Sequence, residues 1–258
     1  MTTPPATAQR FTSRVPYYHL YRPRYPQAIT ALLADEIGLT PASVIADIGA
    51  GTGISCEPFL DYGCAVTAVE PNPDMRAVSE QYYGQNPRFN AISGTAESTS
   101  LPDACVEIVT AGQAFHWFNY SQARVEFARI LKPGGWIVLL WNDREDGLSP
   151  FMDAFNIVLN DYDIEKATTA RAKDFIYTDQ DIAKFYDSAG FEKRQLDNPI
   201  SYTWEQAVGR ALSASYAPLH DHPTHADFVT TLRAAFDAHQ RDGVVWMHYI
   251  TQVYYGRV

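Results

Sequence analysis

Between Val44 and Gly53 the chain reads Val44-Ile45-Ala46-Asp47-Ile48-Gly49-Ala50-Gly51-Thr52-Gly53, an apolar run that closes on an acid and opens into glycines. About twenty residues beyond the turn, Ala65-Val66-Thr67-Ala68-Val69 ends on a second acid, Glu70. A strand, a turn without side-chain bulk, a short helix and a strand tipped by a carboxylate together make a unit for an adenosine-containing cofactor. The glycines let the backbone approach a ligand where a Cβ would clash. The carboxylate at the second tip can accept hydrogen bonds from both ribose hydroxyls. Spacing separates two such cofactors. The dinucleotide pattern G-x-G-x-x-G needs a glycine at position 54, where Ile54 stands. Asp47 is poorly placed beside a pyrophosphate and well placed near an ammonium. S-adenosylmethionine carries an ammonium, a sulfonium and a ribose diol but no phosphate, and it is the cofactor expected here.

The elements that position these residues alternate between helix and strand up to about residue 141, the pattern of a doubly wound α/β sheet. Helices are predicted over 27–37, 54–62, 73–83 and from Asn119 or Ser121 to 131, and strands over 43–48, 65–70, 89–93, 105–110 and 136–141. Asn72 before Pro73 reads as a helix cap, and Lys132-Pro133-Gly134-Gly135 as a helix stop. Beyond 141 the pattern changes. Residues 149–172 read as irregular helix. Thr178 and Thr203 each open a capping-box sequence; the first predicts a helix to Gly190, the second a helix towards Tyr216. A strand over 191–202 is expected to be interrupted at Pro199. A helix over 226–240 and a strand over 244–255 follow. Segments 145–175 and 203–241 are too long for simple connections and are expected to cap the site. Residues 1–14 are expected to form a flexible arm, and 15–258 a single domain.

The chain has 258 residues, 46% of them apolar, enough for a full core. Its net charge of −10 argues against a broad phosphate-binding surface and hence against nucleic acid as partner. No apolar run approaches the roughly 18 residues of a membrane span, and the first dozen residues lack the apolar centre of a signal peptide. Cys56, Cys64 and Cys105 have no metal-ligand spacing and read as free thiols in a cytoplasmic protein.

Four motifs in register resemble the class I S-adenosylmethionine-dependent methyltransferases. They are the glycine turn from Asp47 to Gly53, Val69-Glu70-Pro71-Asn72-Pro73-Asp74-Met75, Gly94 to Pro102, and Leu131-Lys132-Pro133-Gly134-Gly135. The resemblance covers residues 15–141 well and the remainder in outline. It implies a seven-stranded Rossmann-like methyltransferase sheet with the last strand antiparallel, here with a helical cap from C-terminal insertions. Tyr21-Arg22-Pro23-Arg24-Tyr25-Pro26 and Gln113-Ala114-Phe115-His116-Trp117-Phe118 are similar to a narrower group, the trans-aconitate methyltransferases and related small-molecule enzymes. Carried over residue by residue, the resemblance implies that Gly49, Ala50 and Gly51 line the methionine moiety, with Asp47 near its amino group. Glu70 takes the ribose, Pro71 and Met75 flank ribose and adenine, and Thr95, Ala96 and Glu97 lie by the adenine edge. Many relatives carry an acid where Thr95 stands; its hydroxyl can accept the same bond more weakly. Gln113 is implied to face the cofactor, and Tyr21 and Arg22 to close over its carboxylate.

Methyl transfer from a sulfonium needs no metal and no covalent enzyme intermediate. It needs a nucleophile held about 3 Å from the methyl carbon and the exclusion of water, and aromatic faces attract the sulfonium. Tyr17, Tyr18, Tyr21, Phe115, Trp117 and Phe118 meet that need, although aromatic clusters are more often plain core or lid packing. His116 follows the fourth strand at the edge where open α/β sheets bind ligands. It is the candidate catalytic residue, as a base or as a partner for a substrate carboxylate, and orienting its own loop is the competing role. Asn142 and Arg144 follow the fifth strand at the same edge and join Tyr17, Tyr18 and Trp117 as candidate substrate contacts. Arg22, Arg24, Arg144 and Arg210 are candidates for recognising an acidic substrate, with solvated surface the default reading for Arg24 and Arg210. His220, His222 and His225 lack the acid or cysteine partners of a metal centre. The expected activity is methyl transfer to a small molecule, O-directed, with a carboxylate among the candidate acceptors. A protein or nucleic-acid methyltransferase and a cofactor-binding protein without transferase activity are the alternatives.

Overall fold

The computed structural model describes residues 15–145, 147–164 and 178–257. The predicted arm over 1–14, and the part of the predicted cap that falls on 165–177, lie outside the described residues. Seven strands form one sheet: β1 (Val44–Ile48), β2 (Ala65–Val69), β3 (Phe89–Ile92), β4 (Val106–Gly112), β5 (Leu131–Arg144), β6 (Phe191–Thr203) and β7 (Val244–Gly256). Their order is β3-β2-β1-β4-β5-β7-β6, and β7 runs antiparallel to both its neighbours while the other pairings are parallel. Both faces are covered, and the alternation of side chains along each strand sends neighbours to opposite cores. Ala46, Ile137 and Leu139 join Phe115, Phe127 and Phe185 on one face. Ile45, Val138 and Leu140 join Ile29, Leu33 and Phe59 on the other.

The helices are α1 (Val15–Tyr21), α2 (Ala28–Ile37), α3 (Glu57–Tyr62), α4 (Pro73–Tyr83), α5 (Tyr120–Ile130), α6 (Pro150–Asp161), α7 (Asp179–Tyr186), α8 (Trp204–Leu212) and α9 (His225–His239). Their starts follow local chemistry. The Asn72 side chain accepts the N–H groups of Asp74 and Met75 at the head of α4. Asn119 caps α5. Thr178–Asp181 and Thr203–Gln206 form reciprocal capping boxes on α7 and α8. A third core brings α6, α8 and α9 against the ends of β6 and β7 through Phe155, Leu212, Phe228, Leu232 and Met247. This helical layer lies beyond the carboxyl end of β5, because Arg144 pairs with Tyr249 in the β5–β7 ladder.

Several elements depart from expectation. The helix after the glycine turn starts at Glu57 rather than 54. Gly51 and Gly53 take left-handed φ values of 56° and 84°, and the following residues stay in turns while Ser55 and Cys56 bond to Asp47. The helices predicted to 190 and 216 end at Tyr186 and Leu212; after α8, the Ser213 hydroxyl turns back onto the Arg210 carbonyl. Pro199 does not interrupt β6, which pairs with β7 along its whole length. As the outermost strand, β6 tolerates a residue without an N–H.

Candidate active site

The glycine turn connects the end of β1 to α3. Gly49 and Ala50 both donate to the Val69 carbonyl, at 2.8 and 3.3 Å. A side chain at Gly49 would put its Cβ 2.8 Å from that of Ala114, in the loop after β4. Gly49 therefore permits a close approach of two loops at the carboxyl edge of the sheet. The Met75 sulfur lies 3.5 Å from where a Cβ on Gly51 would stand.

Glu70 lies at the tip of β2, buried, and accepts the N–H of Gly51 through one oxygen and that of Asn72 through the other, each at 2.8 Å. Burial raises its pKa, and the two N–H bonds oppose that shift. Each carboxylate oxygen has a further lone pair to offer a ligand hydroxyl. Pro71 is half-buried and Met75 buried on the same side.

Asp47, expected near the cofactor's amino group, has three hydrogen-bond partners within the protein. It is 0% exposed and accepts from Ser55 Oγ (2.5 Å), Thr110 Oγ1 (2.7 Å) and Cys56 Sγ (3.2 Å). Burial raises its pKa against these hydrogen bonds. Its carboxylate holds the underside of the glycine turn against β4. From the other side, His19 Nδ1 meets the Thr52 carbonyl at 3.1 Å and its Nε2 meets Arg24 Nη2 at 3.2 Å. A carbonyl can only accept, so the proton is assigned to Nδ1. Burial and the adjacent Arg24 push the His19 pKa down to about 4.

Beyond β3, Thr95 and Ser98 close a tight turn, with Ala96 buried inside it. Glu97 accepts the Asn119 N–H at 2.8 Å, which ties this turn to the start of α5. Gln113 takes a left-handed φ of 54°, uncommon for a residue with a side chain. Its Nε2 donates to the Asn142 carbonyl at 3.1 Å. His116 follows on a short 3-10 turn, 5.1 Å from the half-buried Trp117 ring, and burial lowers its pKa to about 4.

The expected substrate contacts divide. Every polar side-chain atom of Asn142 bonds within the protein: Nδ2 to the Pro23 and Arg24 carbonyls, Oδ1 to Asn198 Nδ2 and Thr251 Oγ1. It anchors the 21–26 segment to the sheet. Tyr17 bonds His220 Nε2 at 3.2 Å, and Tyr21 packs its ring against Gly209 of α8. The Arg22 guanidinium lies 4.8 Å from the Tyr18 ring centre and donates to the Ser213 carbonyl at 2.8 Å. Arg144 donates to Tyr216 Oη at 3.4 Å.

Of the two arginines expected at the surface, Arg24 keeps a side chain 38% exposed and Arg210 is buried. Arg24 pairs with Glu57 at 3.2 Å. Arg210 is only 4% exposed, its Nε 3.1 Å from Tyr249 Oη. The helical period carried the signal, since position 210 falls on the same face of α8 as the buried Ala207 and Ala211.

Against known proteins, residues 46–139 match the family described as a methyltransferase domain. The chain is 37% identical over 154 residues to an uncharacterized methyltransferase of Mycobacterium tuberculosis, covering 59% of this chain and 60% of that one. It is 31% identical over 109 residues to a demethylmenaquinone methyltransferase of Renibacterium salmoninarum, 42% of this chain and 45% of that one. The chain thus spans less than two thirds of the length of the curated relatives it matches. The structure of a putative type II methyltransferase from Anaeromyxobacter dehalogenans superposes over 92% of this chain and 98% of that one, with TM-score 0.60 and 22% identity. The fold is that of the class I methyltransferases, and S-adenosylmethionine is the cofactor such a domain uses. Gly49, Gly51 and Glu70 fit that cofactor: a turn with no Cβ at its approach, beside a carboxylate held in place by two backbone N–H groups. Among the described residues, no helix is long and apolar enough to cross a membrane.

Proposed function

We propose that this chain transfers a methyl group from S-adenosylmethionine to an oxygen of a carboxylate-bearing small molecule. The observation that carries the reading is Glu70, fixed at the β2 tip by Gly51 and Asn72 beside a turn whose glycines take left-handed φ values. When bound, the cofactor supplies a methyl group on a positively charged sulfur. Glu70 would hold its ribose, Met75 and Pro71 its ribose and adenine flank, Ala96 and Thr95 its adenine edge, and Arg22 its carboxylate. Asp47 acts through the turn it braces. His116, neutral near pH 7 because burial lowers its pKa to about 4, would take a proton from an acceptor hydroxyl. Trp117 and Tyr18 offer the aromatic faces that keep water out.

The Tyr21–Pro26 and Gln113–Phe118 motifs support a trans-aconitate methyltransferase-like substrate size. The Renibacterium relative is named for demethylmenaquinone, which supports a small-molecule acceptor over a protein or nucleic acid. The net charge of −10 favours a small molecule over nucleic acid, and three free cysteines suit a cytoplasmic setting. The α6, α8 and α9 layer would serve as the cap. The test is release of S-adenosylhomocysteine across a panel of carboxylic and hydroxy acids. Turnover with any member supports the reading. Tight cofactor binding without release from the panel, from peptides or from nucleic acid would leave a cofactor-binding protein and overturn transfer.

A further inference from the structure

Three arginines converge where α1, α8 and the end of β5 meet. Arg22 Nη2 reaches the Ser213 carbonyl at 2.8 Å, and Arg210 Nη1 lies 3.4 Å from the Ser213 hydroxyl. Arg210 Nε bonds Tyr249 Oη, and Tyr249 pairs with Arg144 across the β5–β7 ladder. Arg144 in turn bonds Tyr216 Oη. Among the described residues, Arg22 Nε and Arg144 Nη1 are buried without a hydrogen-bond partner.

Among the described residues, no carboxylate pairs with any of these three. The contrast lies in the same chain: Arg24, Arg129, Arg194 and Arg233 each sit on an Asp or Glu. With 30 acidic residues for 20 basic ones, carboxylates were available. A buried cation without an anion is costly; around Arg210 burial is outweighed by the phenols of Tyr249, Tyr202 and Tyr216, which raise its pKa, whereas Arg22 lacks compensation on that scale. Burial, with Arg210 beside it, lowers the Arg22 pKa to about 10. An anion entering the cluster would meet three guanidinium groups that no carboxylate among the described residues neutralises.

We propose that Arg22, Arg144 and Arg210 form one anion site that holds the acceptor by a carboxylate other than the atom methylated. This rests on the methyl-transfer reading above. The site adjoins the reaction edge, since Arg144 lies two residues beyond Asn142, whose carbonyl binds Gln113. A carboxylate clamped by several guanidinium N–H groups has its lone pairs engaged and its charge neutralised, so it is a poor nucleophile. The acceptor then needs two functions: a carboxylate for the arginines and a separate oxygen for the methyl group. Three cations exceed what the cofactor's single carboxylate can balance, and Arg22 is the one shared with it.

The test is thermal unfolding with S-adenosylhomocysteine present throughout, using succinate as the probe and succinamide as its uncharged control. Wild type, Arg144→Gln and Arg210→Met are compared. Succinate at about 10 mM is expected to raise the wild-type Tm by a few degrees, with succinamide inactive and both variants unresponsive. Both variants should keep S-adenosylhomocysteine affinity within about threefold of wild type. A purely structural arginine would leave the ligand response in place, so an intact succinate response in Arg144→Gln and Arg210→Met overturns the proposal. An equal response to succinamide, or none to succinate in wild type, also overturns it. About tenfold weaker S-adenosylhomocysteine binding in both variants would assign the cluster to the cofactor alone. If wild type fails to bind S-adenosylhomocysteine, the methyl-transfer reading falls, and the succinate response still judges the anion site.

Discussion

The Asn142 side-chain amide donates to the Arg24 carbonyl at 3.3 Å, joining residues 118 apart in the chain. Asn198 Nδ2 reaches the same carbonyl at 2.8 Å and also bonds Asn142 Oδ1. A buried amide from each of two strands thus holds the 21–26 segment over the carboxyl edge of the sheet. Asn142→Ala leaves the Thr251 hydroxyl and the Asn198 amide short of an acceptor. The expected loss is about 2–3 kcal/mol of stability, read by urea unfolding, with weaker cofactor binding as Arg22 loses its support. Unchanged stability would show that the segment is held by other contacts.

Asp47 tests the difference between bracing a turn and touching a ligand. Asp47→Ala strands three buried donors, on Ser55, Cys56 and Thr110, and is expected to cost about 3 kcal/mol or more. A variant as stable as wild type that fails only in cofactor binding would return Asp47 to direct ligand contact.

Glu126 supplies a pH dependence. Hydrogen bonds from Arg129, assisted by Thr99, hold its pKa at about 2, below the ordinary 4.5. The folded-state pKa is depressed, so this stabilisation is fully present above pH 4.5 and is lost as pH falls towards 2. Because Arg129 is partly exposed and screened, the contribution is set at about 2 kcal/mol rather than the full shift. Unfolding free energy followed from pH 5 to pH 2.5 should fall less steeply in Glu126→Gln than in wild type. Parallel curves would refute the assignment.

His116 carries the sharpest kinetic expectation. His116→Ala should lower turnover by about tenfold or more, within the usual range for a lost general base, while S-adenosylhomocysteine binding is nearly unchanged. With its pKa lowered to about 4 by burial, the ring is neutral above about pH 5 and becomes charged below. Wild-type turnover attributable to this group should therefore be flat through pH 6–7 and fall only in acid. An inflection near 6.5 that vanishes in the variant would mean that the ring titrates in contact with solvent.

Local chemistry was legible in the sequence where it acts over a few residues. Asn72 before Pro73, and the Thr178 and Thr203 capping boxes, placed helix starts because a cap and its donors are neighbours in the chain. The glycine spacing and Glu70 located the candidate cofactor site because that unit is contiguous. Partners distant in sequence were hidden. Nothing near Asp47 announces Thr110, and nothing near Asn142 announces Asn198 and the Arg24 carbonyl. Arg210 was misplaced because charge outweighed helical phase in the reading, although its position on the Ala207–Ala211 face pointed inward. Pro199 was read as a break because strand order, which puts β6 at the edge, is a property of the assembled sheet.

Glu70 bears the central claim, and calorimetric titration of S-adenosylhomocysteine into wild type and Glu70→Ala tests it most directly, with NAD as the control ligand. Micromolar binding to wild type, weakened by about tenfold or more in the variant, with NAD inert, is the predicted result. Binding of NAD in preference, or equal S-adenosylhomocysteine affinity in both proteins, would contradict the account.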